Sequence, residues 1–387
     1  MEGLIGRVSH YYNHLGVAIL ELTGELSVGD MITFLGHTTE FNQIACSLEV
    51  EHHKVMTATP GMEVAVRVDE AVREGDQVFI NLSGVENPEN YALWSSISEA
   101  YHAISHTYVG LFDNIEQKTG LPPRSTGLLF AALTFEPQTT SVERLQVRAP
   151  YVSEGNYRSQ LLELAEKKFL VEPVPGEFRL SPRGHQTVDR LIKSGREAMA
   201  LADPLAPADS NLLADRLGVL VQACMFTPPP PDTWSIRLSY SLMPELTPPL
   251  PYTEQAMSCL AAYRDDAHLA AWRPSGLSGP ALEVVTILWS GQANSLDEIY
   301  RLLTRRGFEK HDYLAYVNSL RKTSIVDGPD EALHLTSAGV SFRKQVEEDT
   351  DSYFYAPWNC LSSIQKMEIS CLLIDLRNGL MIKTGRE

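Results

Sequence analysis

The chain has little from which to build disulfides. Its five cysteines, Cys46, Cys224, Cys259, Cys360 and Cys371, are scattered over 387 residues with no C-x-x-C pair. That distribution suits reduced, packed thiols better than cross-links or a zinc site. Long apolar runs are absent too. None approaches the roughly 20 residues that a membrane-spanning helix needs, so no membrane association is expected. The opening residues, Met1 to Arg7, have neither a basic start nor an apolar stretch ending in small residues, which argues against export and for a cytoplasmic protein. Basic residues are scarce, with 32 Lys and Arg against 49 Asp and Glu and a net charge of −17. No phosphate-binding G-x-x-x-x-G-K-[ST] loop, nucleophile elbow, H-E-x-x-H pair or dinucleotide fingerprint occurs. The expectation is therefore a non-enzymatic protein without cofactor or metal.

What is present is a repeat. Two stretches about 155 residues apart share one pattern: a short amphipathic helix, a turn, a second helix, a two-stranded wing, and Leu-Ser/Thr-x-x-Gly opening a further helix. The first runs from Ser141 through Leu145, Leu161, Leu164 and Phe169-Leu170-Val171 to a wing at Pro175-Gly176, and ends at Leu180-Ser181-Pro182-Arg183-Gly184. The second places Ser295, Ile299, Val317, Leu320, Ile325-Val326, Asp327-Gly328-Pro329 and Leu335-Thr336-Ser337-Ala338-Gly339 in the same order. This is the pattern of a tandem winged helix, a fold used chiefly for binding.

The front of the chain reads differently. Glu63-Val64-Ala65-Val66-Arg67-Val68-Asp69 alternates strictly, placing Val64, Val66 and Val68 on a buried face and Glu63, Arg67 and Asp69 toward water. Short β-rich runs joined by Gly-Asp turns continue to Leu82, and strands of this length without intervening helices suggest a small closed barrel. Helical spacing begins after Val85-Glu86-Asn87-Pro88 with Leu93, Ile97, Ala100, Ala103 and Ile104. The predicted architecture is multidomain α+β, a small all-β barrel followed by two mainly α winged-helix domains. Its parts are a barrel at 1–82, a helical scaffold with the first winged helix at 83–226, an extended proline-rich linker at 227–252, and the second winged helix with a C-terminal helix at 253–387. The linker is assigned on Pro228-Pro229-Pro230-Pro231, Pro244, Pro248-Pro249 and Pro251, as a stiff spacer in preference to a ligand for an aromatic groove.

Charge is unevenly spread. Residues 1–82 hold 4 basic against 12 acidic side chains, 281–350 hold 8 against 11, and 141–200 hold 10 against 8. Phosphate attracts protein through Lys and Arg, so the first winged helix is the one expected to meet DNA. On its second helix, capped by Ser153, the residues assigned to bases are Asn156, Tyr157, Arg158 and Gln160. Lys167 and Lys168, with Arg179 and Arg183 on and after the wing, are assigned to phosphates. The second copy has Asp327, Asp330 and Glu331 in its wing and reads as a structural or protein-binding module. The final helix, from Cys360-Leu361 to Leu376, is apolar on one side and is expected to pack within the chain.

Two other clusters were weighed. His10, His14, His37, His52 and His53 lie in the β-rich region, but adjacent His52 and His53 point to opposite faces of a strand, and His10 and His14 lack a partner at ligand spacing. Glu99, Tyr101, His102 and His106 share one helix, where an acid–base pair and ordinary surface polarity are both open readings.

Several residue sets carry resemblances. Gly6-Arg7-Val8, Gly16 to Leu22, Leu26 to Asp30, Gly36 to Thr39, Pro60-Gly61 and Val72 to Asp76 resemble the second-domain barrel of elongation factor Tu in its stand-alone form. That resemblance implies a fold more than an activity, since no nucleotide loop accompanies it. The helices around the first copy resemble the scaffold of MarR-type proteins, which implies a homodimer or an internal pseudo-dimer. From about Ser95 to Leu380 the chain resembles a little-characterised bacterial helix-turn-helix family, through Tyr101-His102-Ala103, Leu133 to Pro137, Leu335 to Gly339, Glu347, Asp349 to Asp351, and Pro357-Trp358. The leading expectation is a DNA-binding transcriptional regulator with an accessory barrel. The alternative is an interaction scaffold near the translation machinery, or a small-molecule-binding protein without DNA contact.

Overall fold

The structure, a computed structural model, describes residues 2–13, 16–28, 30–36, 39–45, 48–51, 53–55, 57–68, 70–81 and 88–384. His14, His37, His52, Cys46, Asp69 and the expected barrel boundary at Leu82 lie outside the described residues, as do Gly29, Thr38 and Val85 to Asn87. The chain divides into two compact units. One comprises Met1–Ser105, Ala202–Leu220 and Trp358–Glu387; the other comprises His106–Leu201 and Val221–Pro357.

In the first unit, ten strands are β1 (Glu2–Tyr12), β2 (Val17–Leu22), β3 (Leu26–Ser27), β4 (Met31–Leu35), β5 (Glu40–Ile44), β6 (Leu48–Val50), β7 (His53–Val55), β8 (Thr57–Ala58), β9 (Glu63–Arg67) and β10 (Gln77–Asn81). Eight form an antiparallel sheet in the order β5-β4-β10-β1-β2-β9-β6-β7, and β3 pairs with β8. The alternation read in β9 holds: Val64 and Val66 are fully buried while Glu63 is exposed. Leu20, Leu26, Ile32, Phe34 and Leu48 join them in one core. Gly6 is required where β1 crosses β2, because a Cβ there would stand 2.6 Å from the Glu21 carbonyl oxygen.

Helix α1 (Pro88–Ser105) packs against the last helix of the chain, and Leu93, Ile97, Ala100 and Ile104 are buried at the spacing read from the sequence.

The second unit begins with α2 (Val109–Thr119). Then come α3 (Thr126–Phe135), α4 (Val142–Arg148) and α5 (Glu154–Glu166), a hairpin of β11 (Leu170–Val174) and β12 (Glu177–Leu180), and α6 (Pro182–Ala202). Helix α7 (Pro207–Met225) belongs to the first unit as far as Leu220, and the second unit continues with α8 (Trp234–Tyr240) and α9 (Pro249–Trp272). The second series is α10 (Gly279–Trp289), α11 (Leu296–Leu303), a 3-10 turn at Thr304–Arg306, α12 (Lys310–Lys322), β13 (Val326–Asp327), β14 (His334–Leu335) and α13 (Ser337–Tyr355). Helix α14 (Ser363–Thr384) belongs to the first unit, as the partner of α1. Each series has its own core: Leu129, Leu161, Leu164, Phe169 and Phe178 in the first, Val284, Ile299, Tyr313, Val317 and Leu320 in the second.

The expected extended linker at 227–252 is corrected. It contains α8 and the start of α9, with Pro248 at the N-cap of α9 and prolines in its first turn. The first amides of a helix have no intrahelical acceptor, so proline is well tolerated there and its fixed φ suits entry. Asp266 from α9 then holds α8, accepting the Ser235 amide at 2.9 Å and the Ile236 amide at 3.0 Å. None of the helices among the described residues is long and apolar enough to cross a membrane.

Candidate nucleic-acid interface

The two helical series are built by the same local chemistry. Ser141 and Ser295 cap α4 and α11 by accepting the amides of Arg144 and Glu298. Ser153 caps α5 in the same way, whereas α12 starts with a reciprocal capping box between Glu309 and Asp312. Side-chain oxygens suit these ends because the first helical amides lack acceptors. At the other end of each unit, Ser181 and Thr336 do two jobs. Each accepts an amide at the start of the next helix, from Gly184 at 3.0 Å and Gly339 at 3.1 Å, and each donates to a carbonyl before the hairpin, of Lys168 and Ser324, both at 2.6 Å. Lys168 and Ser324 both have positive φ. Gly184 and Gly339 are glycine because any Cβ would collide with the carbonyl oxygens of Phe169 and Ile325. The repeated Ser/Thr-x-x-Gly thus closes helix, turn and hairpin together.

The two series also touch, and the contact falls on the N-terminal end of α5. The Ser153 amide donates to the Arg306 carbonyl at 2.8 Å, and Asn156 Nδ2 donates to the Arg305 carbonyl at 2.8 Å. Gly307 makes the approach feasible. Its φ is +78°, and a Cβ there would lie 2.5 Å from Asn156 Cβ and 2.7 Å from Ser153 Oγ.

This seam changes the standing of the residues expected to read DNA. Asn156 is held by the second series, and Gln160 Nε2 is turned back to Asn156 Oδ1 at 2.8 Å. Tyr157 does not face outward. It is buried in the first core with its hydroxyl 3.4 Å from the Ala149 carbonyl, because the helical period that buries Leu161 and Leu164 takes in Tyr157 as well. Lys167 pairs with Glu163 at 3.4 Å. Arg183 is a strut: it donates to the carbonyls of Lys167 at 2.9 Å and Thr119 at 2.5 Å and lies over the Phe169 ring at 4.3 Å. Arg158, Lys168 and Arg179 are exposed. The outer stripe of α5 is Glu154, Arg158, Leu162 and Glu166, with Glu163 beside it, all exposed.

The second series presents the opposite face. Along α12, Tyr313, Val317 and Leu320 turn inward, leaving His311, Ala315, Asn318 and Lys322 exposed on one stripe. Arg301 and Arg305, on α11 and the turn after it, are exposed as well. No acidic side chain belongs to that stripe. Acidic groups of the neighbouring wing are partly neutralised within the fold, with Arg321 bonded to Asp330 at 2.8 Å and to the Gly328 carbonyl at 2.6 Å. Lys310 pairs with Asp297 at 2.6 Å. The stripe has the i, i+4, i+7, i+11 spacing of one helix face.

Behind the seam lies a cavity of about 360 Å³, lined by residues of α9, α10, α11 and α13 together with Tyr151, Gln292 and Arg306. His268 in its wall is driven down to about 4, chiefly by burial, and is neutral at pH 7. Its Nδ1 lies 3.2 Å from Thr350 Oγ1. Asp266, also on α9, is pushed up to about 6 by burial against the pull of its backbone donors. Of the cluster on α1, Glu99 is ion-paired with Arg377 of α14.

Comparisons with known proteins divide the chain. Residues 241–378 match a helix-turn-helix family, so the chain carries a helix-turn-helix domain compatible with DNA binding. A 77-residue segment is 38% identical to a protein of Methanocaldococcus jannaschii named as an uncharacterized protease; it is 20% of this chain and 19% of that protein. The chain thus spans about a fifth of the length of the curated relative it matches. Among solved structures, the C-terminal domain of a candidate U32 peptidase of Geobacillus thermoleovorans aligns with 20% identity and a TM-score of 0.20, over 20% of this chain and 92% of that domain. The expectation of a non-enzymatic chain is corrected by the match to the Methanocaldococcus jannaschii protein, because part of the sequence is shared with a protein named as a protease. The absence of familiar catalytic motifs and the presence of a fold used chiefly for binding do not exclude other chemistry.

Proposed function

We propose that the chain binds duplex DNA through its second helix-turn-helix, with α12 as the reading helix and the first copy as its brace. The observation that carries this reading is the exposed stripe of His311, Ala315, Asn318 and Lys322, flanked by Arg301 and Arg305, set against the covered N-terminus of α5. Among the described residues, the hydrogen bonds and ion pairs of that stripe's side chains lie within α12, His311 with Asp312 at 3.4 Å and Asn318 accepting from Arg321 at 3.0 Å. A reading helix contacts bases through its exposed side chains and phosphates through cations at its margins. Arg158, Lys168 and Arg179 remain as candidate flanking phosphate contacts. In this reading each helix-turn-helix with its hairpin is a winged helix, the pair forms an internal pseudo-dimer, and the front sheet is a closed barrel. Support for closure comes from Gln43 on β5, whose amide donates to the Arg67 carbonyl on β9 at 2.8 Å. Binding of the full chain to a labelled duplex, followed across salt concentrations, tests the reading. Three or four phosphate contacts imply a log–log slope of about −3, reduced by Arg305→Ala and Lys322→Ala. Binding without salt dependence, or none at low salt, overturns it.

The match to a protein named as a protease favours a second reading, in which the chain takes part in peptide hydrolysis. Incubating the full chain with unfolded protein substrates and identifying cleavage products by mass spectrometry tests it; uncut substrates dismiss it.

A further inference from the structure

Asn318, in the exposed stripe of α12, does not hold its amide freely. Its Oδ1 accepts from Arg321 Nη1 at 3.0 Å. A guanidinium only donates, so the amide atom that faces it must be the oxygen. Nδ2 is the free end, and it has no hydrogen-bond partner among the described residues.

Arg321 is not a loose surface side chain. Its Nη2 donates to the Gly328 carbonyl at 2.6 Å and to Asp330 Oδ1 at 2.8 Å, both between β13 and β14, and its side chain is only 26% exposed. Three bonds on a planar fork hold the guanidinium in one position. The clamp is anchored further, because the Asp330 carbonyl accepts the Leu296 amide at 2.8 Å and so ties this segment to the start of α11. Clamped in this way, Asn318 offers donors to a ligand and has its acceptor engaged. In the major groove guanine presents two acceptors, O6 and N7, whereas thymine presents O4 alone. The usual pairing of asparagine with adenine needs Oδ1 as well, to accept from N6–H. Here that oxygen already holds a charged donor.

We propose that Arg321 is a positioning residue that makes Asn318 a reader of guanine, in place of the adenine that an unrestrained asparagine prefers. This rests on the reading of α12 as the helix that enters the major groove. Arg321 acts through Asn318, since its guanidinium is held by Gly328 and Asp330. Asn318 Nδ2 donates to guanine O6 and N7, and the lone acceptor of the amide stays with Arg321.

The test is selection by the full chain from a pool of duplexes randomised at their centre, read by sequencing. The wild type is expected to enrich guanine about tenfold over adenine at one position, and Asn318→Ala to lose the preference at that position alone. Asn318 is exposed, so Asn318→Asp leaves the chain folded while removing the donors. It is expected to move that position to cytosine, whose N4 amino group donates to a carboxylate. Arg321→Met is expected to move it to adenine, and Arg321→Lys, which keeps a donor beside Oδ1, to retain guanine. A merely structural role for Arg321 would weaken binding to all sequences alike without changing the base chosen. Adenine enriched by the wild type, no position that depends on Asn318, or the same base chosen by wild type and Arg321→Met would each overturn the proposal. Salt-dependent binding of an unselected duplex measures the DNA reading separately. Where it is found without a guanine preference, only the role of Arg321 falls; where it is missing, both fall.

Discussion

The two helical series differ most where they were expected to be alike. Both use a serine cap, a buried helical stripe and a Ser/Thr-x-x-Gly closure, yet the N-terminal end of α5 is sealed by two carbonyls of the other copy while the outer stripe of α12 lies open. Segment charge favours the first copy, with 10 basic against 8 acidic residues, over the second, with 8 against 11. Exposure favours the second. Much of the basic charge in the first copy is engaged within the protein, Arg183 as a strut and Lys167 in an ion pair. Net charge thus sets long-range attraction, while accessibility decides which helix can act on it.

The likeness between the copies is tested most severely at their closing glycines. Gly184→Ala and Gly339→Ala each drive a methyl into a carbonyl oxygen, and each is expected to cost about 3 kcal/mol, measured by denaturant unfolding. A large loss in one copy and none in the other breaks the equivalence.

Next is a pH effect carried by two buried groups of α9. The folded value of His268, about 4, lies below the usual histidine value of about 6.5, so on acidification the unfolded chain takes the proton first. Its contribution is full above pH about 6.5 and is lost as pH falls toward 4, in total about 3 kcal/mol. Asp266, raised to about 6, works in the other direction. Its contribution is full below the unfolded carboxylate value of about 3.9 and is lost as pH rises through 6. Stability profiles of wild type and His268→Gln separate the two, and identical profiles below pH 6.5 contradict the burial of a neutral imidazole.

The seam itself is probed by two left-handed glycines. Gly307→Ala combines backbone strain with a clash against Asn156 and is expected to cost about 2 kcal/mol, whereas Gly291→Ala, which has open space at φ +67°, costs about 1 kcal/mol. Equal effects dissolve the distinction. The smallest expected change is Asn156→Ala, about 1 kcal/mol for its bond to the Arg305 carbonyl together with the one it accepts from Gln160, again by denaturant unfolding; no loss shows both to be dispensable.

Much of the framework could be read before the structure. Val64 and Val66, the serine caps and the spacing of Val317 and Leu320 are local signals, fixed by periods of two and 3.6 residues or by the chemistry of helix ends. The proline-rich stretch misled because the same residue both stiffens a linker and opens a helix, and only Asp266, some thirty positions on, selects the second use. The seam had no sequence signature at all. Its acceptors are backbone carbonyls, and the one informative side-chain position, Gly307, looks like any turn glycine. Tyr157 was legible as a core residue, standing four positions before Leu161, but its hydroxyl drew it into the expected surface set.

Hydrogen exchange of the full chain with and without a duplex tests the central claim most directly. The account predicts slowed exchange along His311 to Lys322 on adding DNA, with α5 unchanged because Ser153 and Asn156 are already held by the other copy. Protection of α5 with α12 unaltered would contradict it.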